Sequence, residues 1–128
     1  MKYVKTIKPF HKDERGEMSH LLGEKIPITS VLLITSKKDA IRANHYHKKD
    51  THYAYMLEGK MEYSYQDLQS KNKKKQSIII GKGDIVCTPP MIIHAMRFLE
   101  DSVFLAITTE ERDQKKYEKD TVRINLIG

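Results

Sequence analysis

Arg42-Ala43-Asn44-His45-Tyr46-His47-Lys48-Lys49-Asp50-Thr51-His52, followed further along by Thr88-Pro89-Pro90-Met91-Ile92-Ile93-His94, is the part of the chain whose reading decides the fold. Four of the six histidines fall in these two clusters, and both clusters lie on runs that read as β-strands. In a strand, residues two apart point to the same face. His45 and His47 then project side by side, with Cβ atoms roughly 6.5 to 7 Å apart from the strand rise. Two imidazoles so placed can converge on one ion, because metal–nitrogen bonds are about 2 Å long. A lone histidine reads as an ordinary buried or surface imidazole. A pair two apart, a third five residues on and a fourth after a Pro-Pro turn read as a metal site formed by His45, His47, His52 and His94.

Short apolar runs recur along the chain: Thr29 to Thr35, Ala40 to His47, Thr51 to Leu57, Lys60 to Asp67, Gln76 to Ile80, Asp84 to Thr88, Ile92 to Leu99, Ser102 to Thr108 and Thr121 to Ile127. They are rich in β-branched and aromatic residues, and Gly, Pro, Asp or Lys clusters separate them. Glu58-Gly59-Lys60 and Gly81-Lys82-Gly83-Asp84 are turns. Only Glu110 to Lys119 reads as a helical turn or charged loop. The predicted class is all-β, a sandwich or jelly roll, and 128 residues make one domain over 1–128. Strict alternation puts Ile41, Ala43, His45 and His47 on one face, and Ile92, His94, Met96 and Phe98 on another. Both faces should line the interior of a barrel, with Ala54 and Met56 following His52 inward. Tyr53, Tyr55 and Leu57 should point outward as a stripe, which predicts burial against an identical subunit in a homodimer.

The formal net charge of +6 sits largely in Lys71-Asn72-Lys73-Lys74-Lys75, the solvated tip of a predicted hairpin. Neither a basic face with interleaved aromatics nor a nucleic-acid module is visible, so no nucleic-acid partner is expected. Scattered cations would instead steer an anionic small molecule. The start Met1-Lys2-Tyr3-Val4-Lys5 lacks a signal-peptide core, and no apolar stretch is long enough to span a bilayer. The single Cys87 allows no intrachain disulfide and suits a cytoplasmic protein; between Val86 and Thr88 it reads as a small buried hydrophobe.

The histidine clusters resemble the two-part motif of the cupin superfamily. His45-x-His47, four residues, His52, six residues and Gly59 is similar to its first part; Gly83, five residues, Pro89, then Met91, two residues and His94 is similar to its second. His52 stands where that motif usually has Glu, and Met91 where it has Gly. An all-imidazole donor set favours zinc or iron, with nickel, copper or manganese as further candidates, over magnesium. Asp13-Glu14-Arg15-Gly16, Arg42 to His47, Leu57-Glu58-Gly59 and Asp67-Leu68 also resemble the dTDP-4-dehydrorhamnose 3,5-epimerase type and the cupin domain of capsular polysaccharide enzymes. The likeness runs from about Phe10 to Leu126.

That resemblance implies an epimerase or isomerase of a nucleotide sugar in cell-surface polysaccharide biosynthesis. It implies His45 as the base next to a sugar ketone. Cations such as Arg15, Arg42 and Lys49 would attract a diphosphate, although strand parity points Arg42 away from His45 unless a bulge intervenes, and Met96 and Phe98 face the pocket by the same parity. The epimerase family carries a proton-donating Tyr after the second motif, where this chain has Phe104-Leu105-Ala106. A lone pair bound to metal cannot also take a proton, so His45 serves as base only when it is not a ligand. An iron-dependent cupin dioxygenase and a non-catalytic small-ligand-binding cupin are the alternatives.

Overall fold

The computed structural model describes residues 3–128; Met1 and Lys2, on which the reading of the chain start partly rests, lie outside them. Two five-stranded antiparallel sheets face each other. We number β1 Val4–Thr6, β2 His11–Asp13, β3 Gly16–Met18, β4 Ser30–Ser36, β5 Ile41–His47, β6 His52–Glu58, β7 Lys60–Asp67, β8 Gln76–Gly81, β9 Asp84–Thr88, β10 Ile92–Phe98, β11 Ser102–Thr108 and β12 Thr121–Arg123, with one helix, α1, at Gln114–Asp120. One sheet runs β1-β9-β6-β11-β4 and the other β12-β5-β10-β7-β8, while β2 and β3 form a separate hairpin. The sheets do not close into a barrel; the arrangement is the cupin jelly roll as two packed layers. Among the described residues no helix is long and apolar enough to cross a membrane.

Alternation builds the core. From one sheet come Ala54, Met56, Val86, Phe104 and Ala106; from the other Met61, Tyr63, Tyr65, Ile80, Met96 and Phe98. Phe98 and Phe104 stack across the gap with ring centroids 5.7 Å apart. The buried Tyr63 hydroxyl meets Thr88 Oγ1 at 2.8 Å, so a polar tip from one sheet is satisfied by the other. Gly59 turns β6 into β7 at φ +92°, and a Cβ there would lie 2.7 Å from the Asp101 carbonyl oxygen, so no other residue fits without movement.

The expected parity fails on β5. His94 pairs with His45 but Ala95 pairs with Ala43, so Asn44 is an extra residue and the strand bulges. Ala43 and Asn44 take φ of +71° and +56°; Asn tolerates this region, and Ala occupies it at a cost of about 1 to 2 kcal/mol. Upstream of the bulge the faces are exchanged: Arg42 now stands opposite Met96, and Ile41 is exposed. The run predicted over Thr121 to Ile127 is a strand only to Arg123. Beyond it the Asn44 side chain holds the chain, accepting from the Leu126 and Ile127 N–H groups and donating to the Ile127 carbonyl, which takes over the role of ladder bonds. The predicted helical turn is present, shifted four residues later at its start to Gln114, because the Asp113 side chain accepts from Lys116 N and fixes the first turn.

Candidate metal and substrate site

Strand register brings the four predicted histidines to one end of the space between the sheets. His45 and His94 are cross-strand partners on β5 and β10, and His52 on β6 faces them from the other sheet, between Thr88 and Thr108. Ring centroids lie 4.6 Å apart for His45–His47, 4.8 Å for His45–His94 and 4.7 Å for His52–His94. All four are buried, His94 completely. His11 and His20 stand apart on the N-terminal hairpin region, beside Asp13 and Phe10 respectively.

Two of the histidines have a fixed tautomer. His94 Nδ1 can only donate to the Ile92 carbonyl, 3.0 Å away, so the lone pair is on Nε2. Thr121 Oγ1 gives its proton to the Tyr117 carbonyl at 2.6 Å and therefore accepts from His47 Nδ1 at 3.2 Å. Among the described residues, His47 Nε2 and His94 Nε2 are buried with no hydrogen-bond partner, and so are His45 Nδ1 and His52 Nδ1. A buried polar atom left without a partner costs about 1 to 3 kcal/mol, so four in one cluster need an explanation. Burial, reinforced by the neighbouring imidazoles, pushes His45 down to about 3 and His47 to about 4, and His94 well below the usual imidazole value. These rings are neutral at pH 7, which is the form that ligates a metal.

Asp50 was not among the sequence-predicted residues and is the main acidic addition. Its Oδ1 accepts from the Thr109 and Glu110 N–H groups, and its Oδ2 lies 3.7 Å from His52 Nδ1. Burial opposes its ionisation, but His52, His47 and the Glu110 N–H outweigh that and hold the carboxyl below its ordinary value. Asp120 accepts from Lys49 N and Asp50 N, and its Oδ2 lies 3.7 Å from His47 Nδ1. Carboxylates behind histidines in this way orient the rings and raise their basicity as ligands. His45, His47 and His94 form one set with ligand atoms all within 4.8 Å, and His47, Asp50 and His52 form a second. The donor chemistry fits a borderline transition metal such as zinc or iron.

Met91, in the place where the resembled motif has Gly, takes φ +68°, the left-handed conformation that Gly adopts freely. Its N–H is held by the His47 carbonyl at 2.9 Å, which ties the two histidine segments together.

The histidines open into a cavity of about 130 Å³ lined by Arg42, His45, His52, His94, Met96, Arg112 and Tyr117. Of the side chains expected around a substrate, the structure brings Arg42 and Met96 to this wall. Phe98 is sealed in the hydrophobic core and does not reach the cavity wall. Arg15 lies in the exposed β2–β3 turn, paired with Asp13 at 2.7 Å, and Lys49 lines a separate surface groove with Glu110 and Asp120. Arg112 and Tyr117 were not singled out in the sequence; nothing in a charged helical segment marks which of its side chains turns toward a cavity.

Residues 11–122 match the family model described as polysaccharide biosynthesis C-terminal domain. The chain belongs to this family. No curated protein matches it by sequence. Among solved structures it is similar to the sugar 3,4-ketoisomerase QdtA of Thermoanaerobacterium thermosaccharolyticum in complex with TDP. The TM-score is 0.73 at 23% identity over 95% of this chain and 87% of that one. The Mycobacterium tuberculosis rmlC epimerase gives a TM-score of 0.78 at 14% identity, over 96% of this chain and 68% of that one. The capsular polysaccharide assembling protein CapF of Staphylococcus aureus gives 0.68 at 18% identity, over 94% of this chain but 33% of CapF. At these identities the shared feature is the cupin fold.

Proposed function

We propose that this chain is an isomerase or epimerase of a nucleotide sugar in polysaccharide biosynthesis, and that its four histidines hold one divalent transition metal, zinc or iron. The observation that carries the reading is the convergence of His45, His47, His52 and His94, each with a ring nitrogen that has no partner among the described residues, beside a cavity with guanidinium groups on its wall. Family membership and the likeness to a ketoisomerase bound to TDP support the substrate class. When bound, the metal would polarise a sugar ketone as a Lewis acid. His47 and His94, with tautomers fixed from behind, are the anchoring ligands; His52 and His45 complete the set.

His45 carries a second reading. Its Nδ1 has no partner and, unlike His47, it lines the cavity directly. Free of metal, a neutral imidazole there can take the proton next to the ketone. The test is TDP-4-keto-6-deoxyglucose in deuterated water, with metal measured in protein purified without an affinity tag. Exchange of the carbon-bound proton supports the function. Loss of exchange on chelation assigns the metal a role, and survival assigns the base to His45. Saturable binding without exchange would show a non-catalytic binder, and oxygen uptake with ferrous iron a dioxygenase.

We further propose a cytoplasmic homodimer. Tyr53, Tyr55 and Leu57 do face outward, half-buried, and Tyr55 lies in register with Leu105 and the exposed Leu33 on the same face. Tyr55→Asp would place an unpaired charge in that interface and should yield monomers by sedimentation. A wild type that is itself monomeric at tens of micromolar, roughly the concentration where a weak dimer forms, would remove the proposal.

A further inference from the structure

We infer that Arg112, held over the Tyr117 ring, acts together with Arg42 as the binding site for the diphosphate of a nucleoside diphosphate. This inference rests on the proposed function for its substrate class but on separate residues for its evidence.

Arg112 comes from the segment between β11 and α1, and both ends of that segment are fixed. At its start the Thr109 and Glu110 N–H groups are held by Asp50 Oδ1, and at its end Asp113 caps the helix. The guanidinium carbon stands 4.2 Å from the Tyr117 ring centroid. Stacking on the face of an aromatic ring orients the guanidinium while leaving its in-plane N–H groups free to donate. Tyr117 is in turn placed against the histidines, 5.4 Å from His47 and 6.3 Å from His45 between ring centroids.

The charges nearby leave this cation unneutralised. Glu111, its neighbour in sequence, is bound by Lys116 at 2.7 Å, and Glu118 by Arg123 at 2.6 Å. Asp50 and Asp120 are turned to backbone N–H groups and histidines. Arg42 donates only to neutral acceptors, Ser36 Oγ at 2.7 Å and the Thr35 carbonyl at 2.9 Å. Among the described residues neither Arg42 nor Arg112 has a carboxylate partner, and both line the same cavity. Two guanidinium groups without carboxylate partners on one cavity wall create a positive field that an anion relieves. A guanidinium fork matches phosphate oxygens in pairs, and two forks match two linked phosphates. Arg15 and Lys49, the other cations expected there, already have acidic neighbours away from the cavity.

Calorimetric titration of the full chain with TDP and with inorganic pyrophosphate tests the site. Arg112→Gln should weaken TDP binding about 10- to 100-fold, the range for losing charge-assisted hydrogen bonds to a phosphate. Metal content and melting temperature should stay as in the wild type. Arg112→Lys, which keeps charge but loses the fork, should recover only part of the affinity. Arg15→Gln and Lys49→Gln should bind within about twofold of wild type, as expected for cations away from the site. Measurable pyrophosphate binding that Arg112→Gln also weakens would locate the effect at the phosphates. Wild-type affinity in Arg112→Gln, or no binding of TDP by the wild type, would overturn the inference. A wild type that binds TDP through Arg112 but exchanges no proton of a keto sugar would sink the proposed function and leave this site standing.

Discussion

The two ends of the space between the sheets are made by the same strands and filled in opposite ways. β10 enters with His94 and leaves with Phe98; β6 enters with His52 and reaches Met56; β11 runs from Phe104 to Thr108. At one end Met56, Met61, Phe98 and Phe104 are almost completely buried in apolar contact. At the other, four imidazoles are buried and, among the described residues, each has one ring nitrogen with no hydrogen-bond partner. The same strands run through both ends, with the bulge on β5 between them, and the side chains they carry set the two apart. A core built for stability alone would not leave those nitrogens without partners. The histidine end carries a free-energy cost that the packed end offsets, and such a cost marks the place where a ligand is meant to sit.

The contrast is broken most completely by removing the ligands. The double variant His47→Ala/His94→Ala should fall from one metal per chain to nearly none by elemental analysis, while the fold, read by far-ultraviolet circular dichroism, remains. Stoichiometric metal in that variant would end the metal assignment. Cutting into the other end should do the reverse. Phe98→Ala should cost about 3 to 5 kcal/mol in urea unfolding from the lost packing and the cavity left behind. The surviving folded protein should bind metal as before. Loss of metal at equal folded concentration would show that the two ends are not independent.

A smaller and graded effect should appear in acid. In the unfolded chain an imidazole protonates near 6.5, about its ordinary value, whereas burial holds His45 at about 3 and His47 at about 4. Between those values the unfolded state binds more protons than the native one. Stability of metal-free protein should therefore fall as pH drops from 6.5 towards 4 and level off near 3. Bound metal should delay the fall, and His45→Asn should make it shallower. A urea midpoint that does not move between pH 7 and pH 4.5 would contradict the burial of neutral histidines.

Where alternation is regular, the sequence was enough to read the structure: β7, β9 and β11 begin and end where their residue patterns do. The four histidines could be placed together because their strands pair as a jelly roll requires. β1, β2 and β3 escaped notice because each is three residues long, mostly exposed, and stabilised by backbone hydrogen bonds with little burial to leave a pattern. The parity of β5 was misread because a bulge at Ala43-Asn44 has no fixed signature; Asn44, a residue that accepts positive φ, is the only hint. Asp50 was legible in principle, an acid within the histidine cluster, two residues before His52. Thr121, Arg112 and Tyr117 were not, since their roles arise from a C-terminal segment that folds back over sheet edges far away in sequence.

The bulge gives β5 two grammars within seven residues. Downstream of Asn44 an odd-numbered position looks inward; upstream an even-numbered one does, and the arginine inherits the histidines' side of the sheet. One amide side chain marks the boundary and is itself spelled out by the last residues of the chain. Lose a single residue there and the two clauses would agree again: Ile41 would be read inward and Arg42 outward. The cavity would exchange its cation for a hydrocarbon although every amino acid needed for the site was still present. The charge of this site is thus stored in a count, one residue more on β5 than on its partner, as much as in the identity of any side chain.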